Sequence, residues 1–288
     1  MQLSVVWCVP IILNWSWLTW PMKTALLTGL LTATATVVGM VATVAPASAF
    51  SWNNSWTQST VYSKSQTGFN DVPFQSSVQK ERLELTSAHQ VMLDPSKLLL
   101  KYAHNVSAYF INEGAGFRNQ LAYEATSKTG EKTSNLLFND IASTESILKE
   151  NDGPLKKGDS VKIGNVAAGT QLDFWLKSNG KNGGQNIFGT KTESNGDGLQ
   201  HVVAYAYENY IMLGFEDLWG EKGAQGGKNQ NSDRDFNDAV FVLDIGKDNV
   251  QNLIKPVPEP TVSLGLMGVG IAGVLLRRRR QGAVAKQA

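Results

Sequence analysis

The sequence predicts an all-β domain, an antiparallel β-sandwich of jelly-roll type, set between two apolar ends. Two observations predict it. Short runs rich in β-branched and aromatic residues, the types that fit a pleated surface, recur from about residue 98 and are densest over 193–246. Turns rich in Gly, Asn and Asp separate them at close spacing, the pattern of many short strands rather than of strands alternating with helices.

The elements follow in order. Residues 50–73 are rich in Ser, Asn, Thr and Gln, with Trp52 and Trp56 as their large apolar residues. They read as a loosely ordered lead-in or a first edge strand. Residues 76–90 fit either a short helix or a strand. Residues 106–111 read as a strand, Asn112, Glu113, Gly114, Ala115 and Gly116 as a turn, and 120–125 as a returning strand. The polar stretch 126–153 leaves room for a helix at 136–148. Strands follow at 161–163 and 171–177, parted by a glycine-bounded loop at 164–169. Residues 201–207 (HVVAYAY) give a strand, Glu208 and Asn209 a tight turn, and 210–215 its partner. After a Gly/Asn/Lys loop at 219–231, residues 239–245 (AVFVLDI) close the domain.

The 288 residues carry a formal net charge of +1, but the ends distort that figure. Residues 1–49 hold one charge, Lys23, and 259–288 hold five basic residues and one acid, Glu259. The middle, 50–258, has 20 basic and 24 acidic residues, a net charge of −4. An acidic middle argues against nucleic acid, whose recognition needs a basic face. The one cysteine, Cys8, lies in the N-terminal apolar stretch, which removes disulfide frameworks, thiolate metal sites and thiol nucleophiles from the middle.

Met22 and Lys23 open an export pattern: a positive residue, an apolar run rich in small residues at 25–44, then Ala47, Ser48 and Ala49 before Phe50. Ala-x-Ala suits signal peptidase, so cleavage is expected after Ala49. Residues 1–21, with Trp7, Trp15, Trp17 and Trp20, read as an extension upstream of a start at Met22. The other reading is an uncleaved anchor, which Pro10, Asn14, Ser16 and Thr19 weaken.

The C-terminal end has three parts. Val257, Pro258, Glu259 and Pro260 lie in a spacer that cannot continue helix or sheet. Residues 261–276 carry no charge and, as a helix of roughly 24 Å at 1.5 Å per residue, nearly cross a hydrocarbon core of about 30 Å. Arg277, Arg278, Arg279 and Arg280 follow and hold that end in the cytoplasm. This order of motif, apolar helix and arginine cluster resembles the PEP-CTERM sorting signal of exported Gram-negative bacterial proteins. The resemblance implies recognition and cleavage by a membrane-embedded exosortase, in bacteria that make exopolysaccharide. The precursor is then tethered to the inner membrane before the protein reaches the cell surface or the medium. A plain single-span tail anchor is the other reading. Residues 268–273 fit G-x-G-x-x-G by accident, since no strand precedes them and no acid follows.

The expected organisation is an extension plus signal peptide at 1–49, a lead-in at 50–97, and the sandwich at 98–247. A linker at 248–260 and a membrane helix with basic tail at 261–288 complete it.

Between 193 and 244 stand ten acids against three bases. Glu216 and Asp217 end one strand, and Asp233, Asp235, Asn237 and Asp238 precede the last. If those strands are neighbours, both clusters meet at one sheet edge, where five carboxylates repel one another unless a cation or arginines neutralise them. Only Arg234 is local. Calcium, which takes six to eight oxygen ligands, suits such a set better than zinc. The spacing from Asp233 imitates the start of an EF-hand, but Asp238 stands where glycine is needed. Asx-turn bonding to the backbone is the competing reading. Asn195, Gly196, Asp197 and Gly198 read as a plain turn rather than a second site.

Glu216 and Asp217, then the SDRDFND run 232–238 leading into Val240 and Phe241, resemble a domain of unknown function widespread in secreted bacterial proteins. Residues 109–119 are similar to an upstream segment of the same group, so the resemblance covers roughly 98–247. It implies a β-rich, surface-exposed module and no chemistry.

Enzyme signatures are missing. His89, His104 and His201 stand in no H-E-x-x-H, and there is no G-x-S-x-G and no phosphate loop. Glu113 with Asp235 is the one carboxylate pair to weigh for glycoside hydrolysis, and nothing in the sequence places the two together. A non-catalytic surface or matrix component is expected, pinned by calcium. The alternative is a carbohydrate-binding module stacking sugars on Trp175, Tyr205, Tyr207 or Trp219, of which only Trp219, at a loop start, is placed to be exposed.

Overall fold

A computed structural model describes residues 50–80, 82–85, 91–148 and 153–255. Ala47 and Ala49, the VPEP motif, the apolar run 261–276 and Arg277 to Arg280 lie outside the described residues. Among those described, no helix is long and apolar enough to cross a membrane.

The protein is mostly β, with antiparallel sheets stacked on each other. Its first strands are β1 (Val61–Tyr62), β2 (Val91–Leu93), β3 (Leu98–Leu99), β4 (His104–Asn112), β5 (Asn119–Thr126), β6 (Lys132–Ile141) and β7 (Ser160–Val166). The rest are β8 (Gln171–Lys177), β9 (Ile187–Gly189), β10 (Val202–Tyr207), β11 (Tyr210–Phe215), β12 (Gln225–Gly226), β13 (Asn229–Gln230) and β14 (Ala239–Asp244). Short helices are α1 (Lys64–Thr67), α2 (Val72–Gln75) and α3 (Lys247–Leu253). One sheet runs β1-β7-β4-β14-β11-β10-β2. The other runs β3-β8-β5-β6, with β9 also on β8, and β12 and β13 form a separate ribbon.

Alternation along the strands builds the core. Val106, Ala108 and Phe110 of β4, Leu213 and Phe215 of β11, and Phe241 and Leu243 of β14 face Leu121 of β5, Phe138 of β6, and Phe174 and Leu176 of β8. The seven-stranded sheet is covered on its other face too. Ile111, Val203, Tyr205, Met212, Val240 and Val242 pack there under Phe74, Val78 and Leu85 of the lead-in. Burial on both faces explains why 202–207 and 239–243 are continuously apolar instead of alternating.

Two expectations change. Residues 136–148 contain no helix at 136–141, because Lys132–Ile141 is strand β6, paired to β5. Register shifts beside Leu121 break the alternation there, so Leu136, Leu137 and Phe138 are all buried in succession and imitate a helical patch. Among the described residues of 76–90 there is neither helix nor strand; Val78 and Leu85 cap the outer face through bends. Of the two readings of the lead-in, the edge strand forms: β1 pairs with β7 at the end of the seven-stranded sheet, and Phe50 stacks on Trp175 at 4.4 Å. The strand at 106–111 and its follower at 120–125 form as expected, but in different sheets, so the turn between them crosses the stack.

Candidate metal centre

β11 and β14 are neighbours, with Phe215 opposite Ala239. Glu216 and Asp217 therefore leave the sheet where the 233–238 loop enters it. The loop turns tightly because Arg234 and Phe236 adopt left-handed φ values of 55° and 59°. Gly214, inside β11, makes room for this turn: a Cβ there would collide with the Phe236 carbonyl.

The six predicted residues divide into two groups. Glu216, Asp233 and Asp235 bring carboxylate oxygens within 4.8 Å of one another. Glu216 and Asp235 are buried and Asp233 is half-buried. Asp217, Asn237 and Asp238 serve the scaffold. Asp238 Oδ2 accepts the Asp217 N–H at 2.7 Å, and Asp217 Oδ2 accepts Asn119 Nδ2 at 2.6 Å. Asn237 donates its side-chain amide to Asp235 Oδ2 at 2.6 Å and to the Leu83 carbonyl at 3.0 Å. Its backbone N–H donates to Asp235 Oδ1, the Asx turn anticipated for this loop. Leu85 N–H donates to the Asp235 carbonyl at 2.9 Å, so the lead-in latches the loop.

Two buried oxygens in this group have no partner among the described residues, Glu216 Oε2 and Asn237 Oδ1. Burial pushes the Glu216 carboxyl up to about 7, and the Asp233 and Asp235 charges add to the rise against a Ser232 hydrogen bond. Asp235 is pushed up to about 6, again by burial first and then by Asp233. Asp238 lies well above the ordinary range through burial beside Asp217 and Glu216. Arg234 offsets part of the charge on Glu216 from a distance but forms no ion pair among the described residues; its Nη2 donates to the Gln200 carbonyl. A cavity of about 380 Å³ lined by Arg82, Lys222, Ser232 and Asp233 adjoins the loop on the Asp233 side. The donors are hard oxygens without sulfur or imidazole, the set that suits calcium over zinc.

The sequence reading missed Asn119 and the latch at Lys80, Leu83 and Leu85, which are near the loop only in space, and gave no role to Ser232 beside Asp233; the strand glycine Gly214 was the one local signal. Asp197 is a turn residue, as expected. It accepts Leu199 N–H, Gly220 N–H and His201 Nε2, and although burial opposes ionisation, these bonds hold its carboxyl below the ordinary range. Glu113 is fully buried and accepts Ser143 N–H at 3.3 Å. Trp175 and Tyr205 are buried, Tyr207 packs on Phe74, and Trp219 is half-buried over Gly196, so these four rings do not form an open sugar platform.

Comparison with known proteins defines the class. Residues 155–246 match the family described as Domain of unknown function (DUF4114), which includes β7, β8, the acidic loop and β14. Residues 256–280 match the PEP-CTERM protein-sorting motif. The chain therefore carries a DUF4114 domain and a C-terminal PEP-CTERM motif, which implies export to the cell surface and processing by exosortase. No curated protein and no solved structure matches the chain.

Proposed function

We propose that the protein is a non-catalytic component of the cell surface or extracellular matrix whose jelly-roll-like sandwich is pinned by calcium at Glu216, Asp233 and Asp235. The observation that carries this reading is the convergence of three carboxylates within 4.8 Å, one of them with a buried, unpartnered oxygen. A cation there offsets the repulsion and supplies the missing partner. In this reading signal peptidase and exosortase act during export, and the membrane tether is temporary.

The test is thermal unfolding of the full chain in detergent, with calcium added and then chelated. A ligand held only by the native state at 100 times its dissociation constant adds about 2.7 kcal/mol. A clear rise in Tm that is absent in Glu216→Gln supports the reading. An unchanged Tm in the wild type removes calcium from it and leaves turn chemistry.

A further inference from the structure

Gln120, Trp175 and Lys177 alternate with the core residues Leu121, Phe174 and Leu176, so they face away from the core on the five-stranded sheet. The segment following Phe50 crosses this face. Trp52 and Trp56 meet edge to face at 5.7 Å, both half-buried. Beside them is a cavity of about 380 Å³, lined by Trp52, Trp56, Gln120, Asn139, Lys177 and Lys181 among others. That volume falls in the ligand-pocket range of about 300–1,000 Å³. A second cavity of about 680 Å³ shares Asn139 and Lys181 and extends the cleft towards Arg118 and Asp140. The two adjoin at Asn139 and Lys181.

The chemistry of the groove is specific. Side-chain amides offer both donors and acceptors, and the amide nitrogens of Asn53, Asn54 and Asn139 donate to no acceptor among the described residues. No acid lines the tryptophan cavity, although the 50–258 segment carries a net charge of −4. Lys177 is 6% exposed, and its ammonium has one oxygen partner, Asn54 Oδ1 at 3.0 Å, with the Trp52 ring 5.6 Å away. Among the described residues neither Lys177 nor Lys181 has a carboxylate partner. A buried ammonium without a counter-charge is a binding group for an anion.

We propose that this groove binds a strand of acidic polysaccharide, a uronate-bearing pyranose chain. The apolar C–H faces of the sugars stack on Trp52 and Trp56, the amides meet the hydroxyls, and Lys177 and Lys181 meet the carboxylates. The groove shares no residue with the acidic loop, so it stands apart from the calcium reading.

The test is a tryptophan-fluorescence titration of the full chain in a zwitterionic detergent, with chelator present so that no cation bridges the ligand. The probes are oligogalacturonate and oligomannuronate, against neutral cello- and xylo-oligosaccharides of equal length. The expected result is saturable uronate binding that weakens with salt. Trp56→Ala should lower it about tenfold or more and Lys181→Ala several-fold, with Glu216→Gln binding as the wild type does. Thermal unfolding of each variant verifies its fold, and exposed Lys181 provides a change that leaves the packing intact. Equal affinity for neutral and acidic chains would overturn the acidic assignment. No binding to any probe, with Trp56→Ala only lowering Tm, would make the rings a clamp for the lead-in and overturn the site.

Discussion

The backbone N–H of Asp217 donates to Oδ2 of Asp238 at 2.7 Å, so the acid at the end of the loop is tied to the strand end where the loop begins. Asp238 is almost fully buried, and its carboxyl lies well above the ordinary range. Its use is as an acceptor rather than as a charge. Asp238→Ala, which removes the carboxylate acceptor of the Asp217 N–H, should cost about 1–3 kcal/mol. Asp238→Asn, which keeps an acceptor and removes repulsion, should cost close to nothing. Urea unfolding of the two variants tests this, and equal losses would refute it.

Stability in chelator should fall as pH rises. Glu216 and Asp235 titrate at about 7 and about 6, above their values in the unfolded chain. The folded protein thus holds protons that the unfolded chain has released. The stability they contribute is fully present below the unfolded values and is lost as pH rises through about 6 and about 7. His201, lowered by burial from its ordinary 6.5, acts in the opposite direction on acidification, one group against three carboxyls. The net loss from pH 5 to 7.5 should be on the order of 2 kcal/mol. Calcium, which binds the deprotonated groups, should raise Tm more at pH 7.5 than at pH 5. A Tm that climbs across this range in chelator would contradict the arrangement.

Gly214→Ala should destabilise by about 1–3 kcal/mol. The added Cβ meets the Phe236 carbonyl, with Leu85 Cδ2 at 2.8 Å and Val203 Cγ2 at 3.2 Å. Because the carbonyl belongs to the loop that presents Asp235, the same change should weaken the calcium response. A variant with full stability and full calcium response would show that the loop yields.

Phe74→Ala should cost about 3–5 kcal/mol. Phe74 is buried and packs on Tyr207 and Tyr210 at ring distances of 4.9 and 5.5 Å, covering the outer face of the sheet. Limited proteolysis should then cut within 69–85 before it cuts any strand. A loss below 1 kcal/mol would mean that the cover is dispensable.

The most legible feature was the hairpin of β10 and β11, where two adjacent runs meet at Glu208 and Asn209 and pair from Tyr207–Tyr210 outwards. The acidic site was legible as two clusters flanking neighbouring strands. Which of its members converge was not, because Asp217 and Asp238 are diverted by each other and by Asn119, 98 residues from Asp217. Strand β6 was illegible because the shifted register removes the period-two signal. The role of 69–85 was hidden for another reason: Phe74 sits in the short helix α2 while Val78 and Leu85 cover the sheet from bends, so no single regular element carries the three.

Strand β14 occupies the middle of its sheet, between β4 and β11, yet among the described residues it is the last strand in chain order. A chain leaving the cytoplasm from its N-terminus delivers the cover at 69–85 and the flanking strands first, with a gap between them. The sheet is completed only when Asp244 has emerged, 12 residues ahead of the stretch that matches the sorting motif. Such distant pairings are slow to form. Arrival of the sorting signal at the membrane and closure of the sandwich thus fall at nearly the same moment, so a processing enzyme that waits for the tail also meets a domain only then able to finish folding.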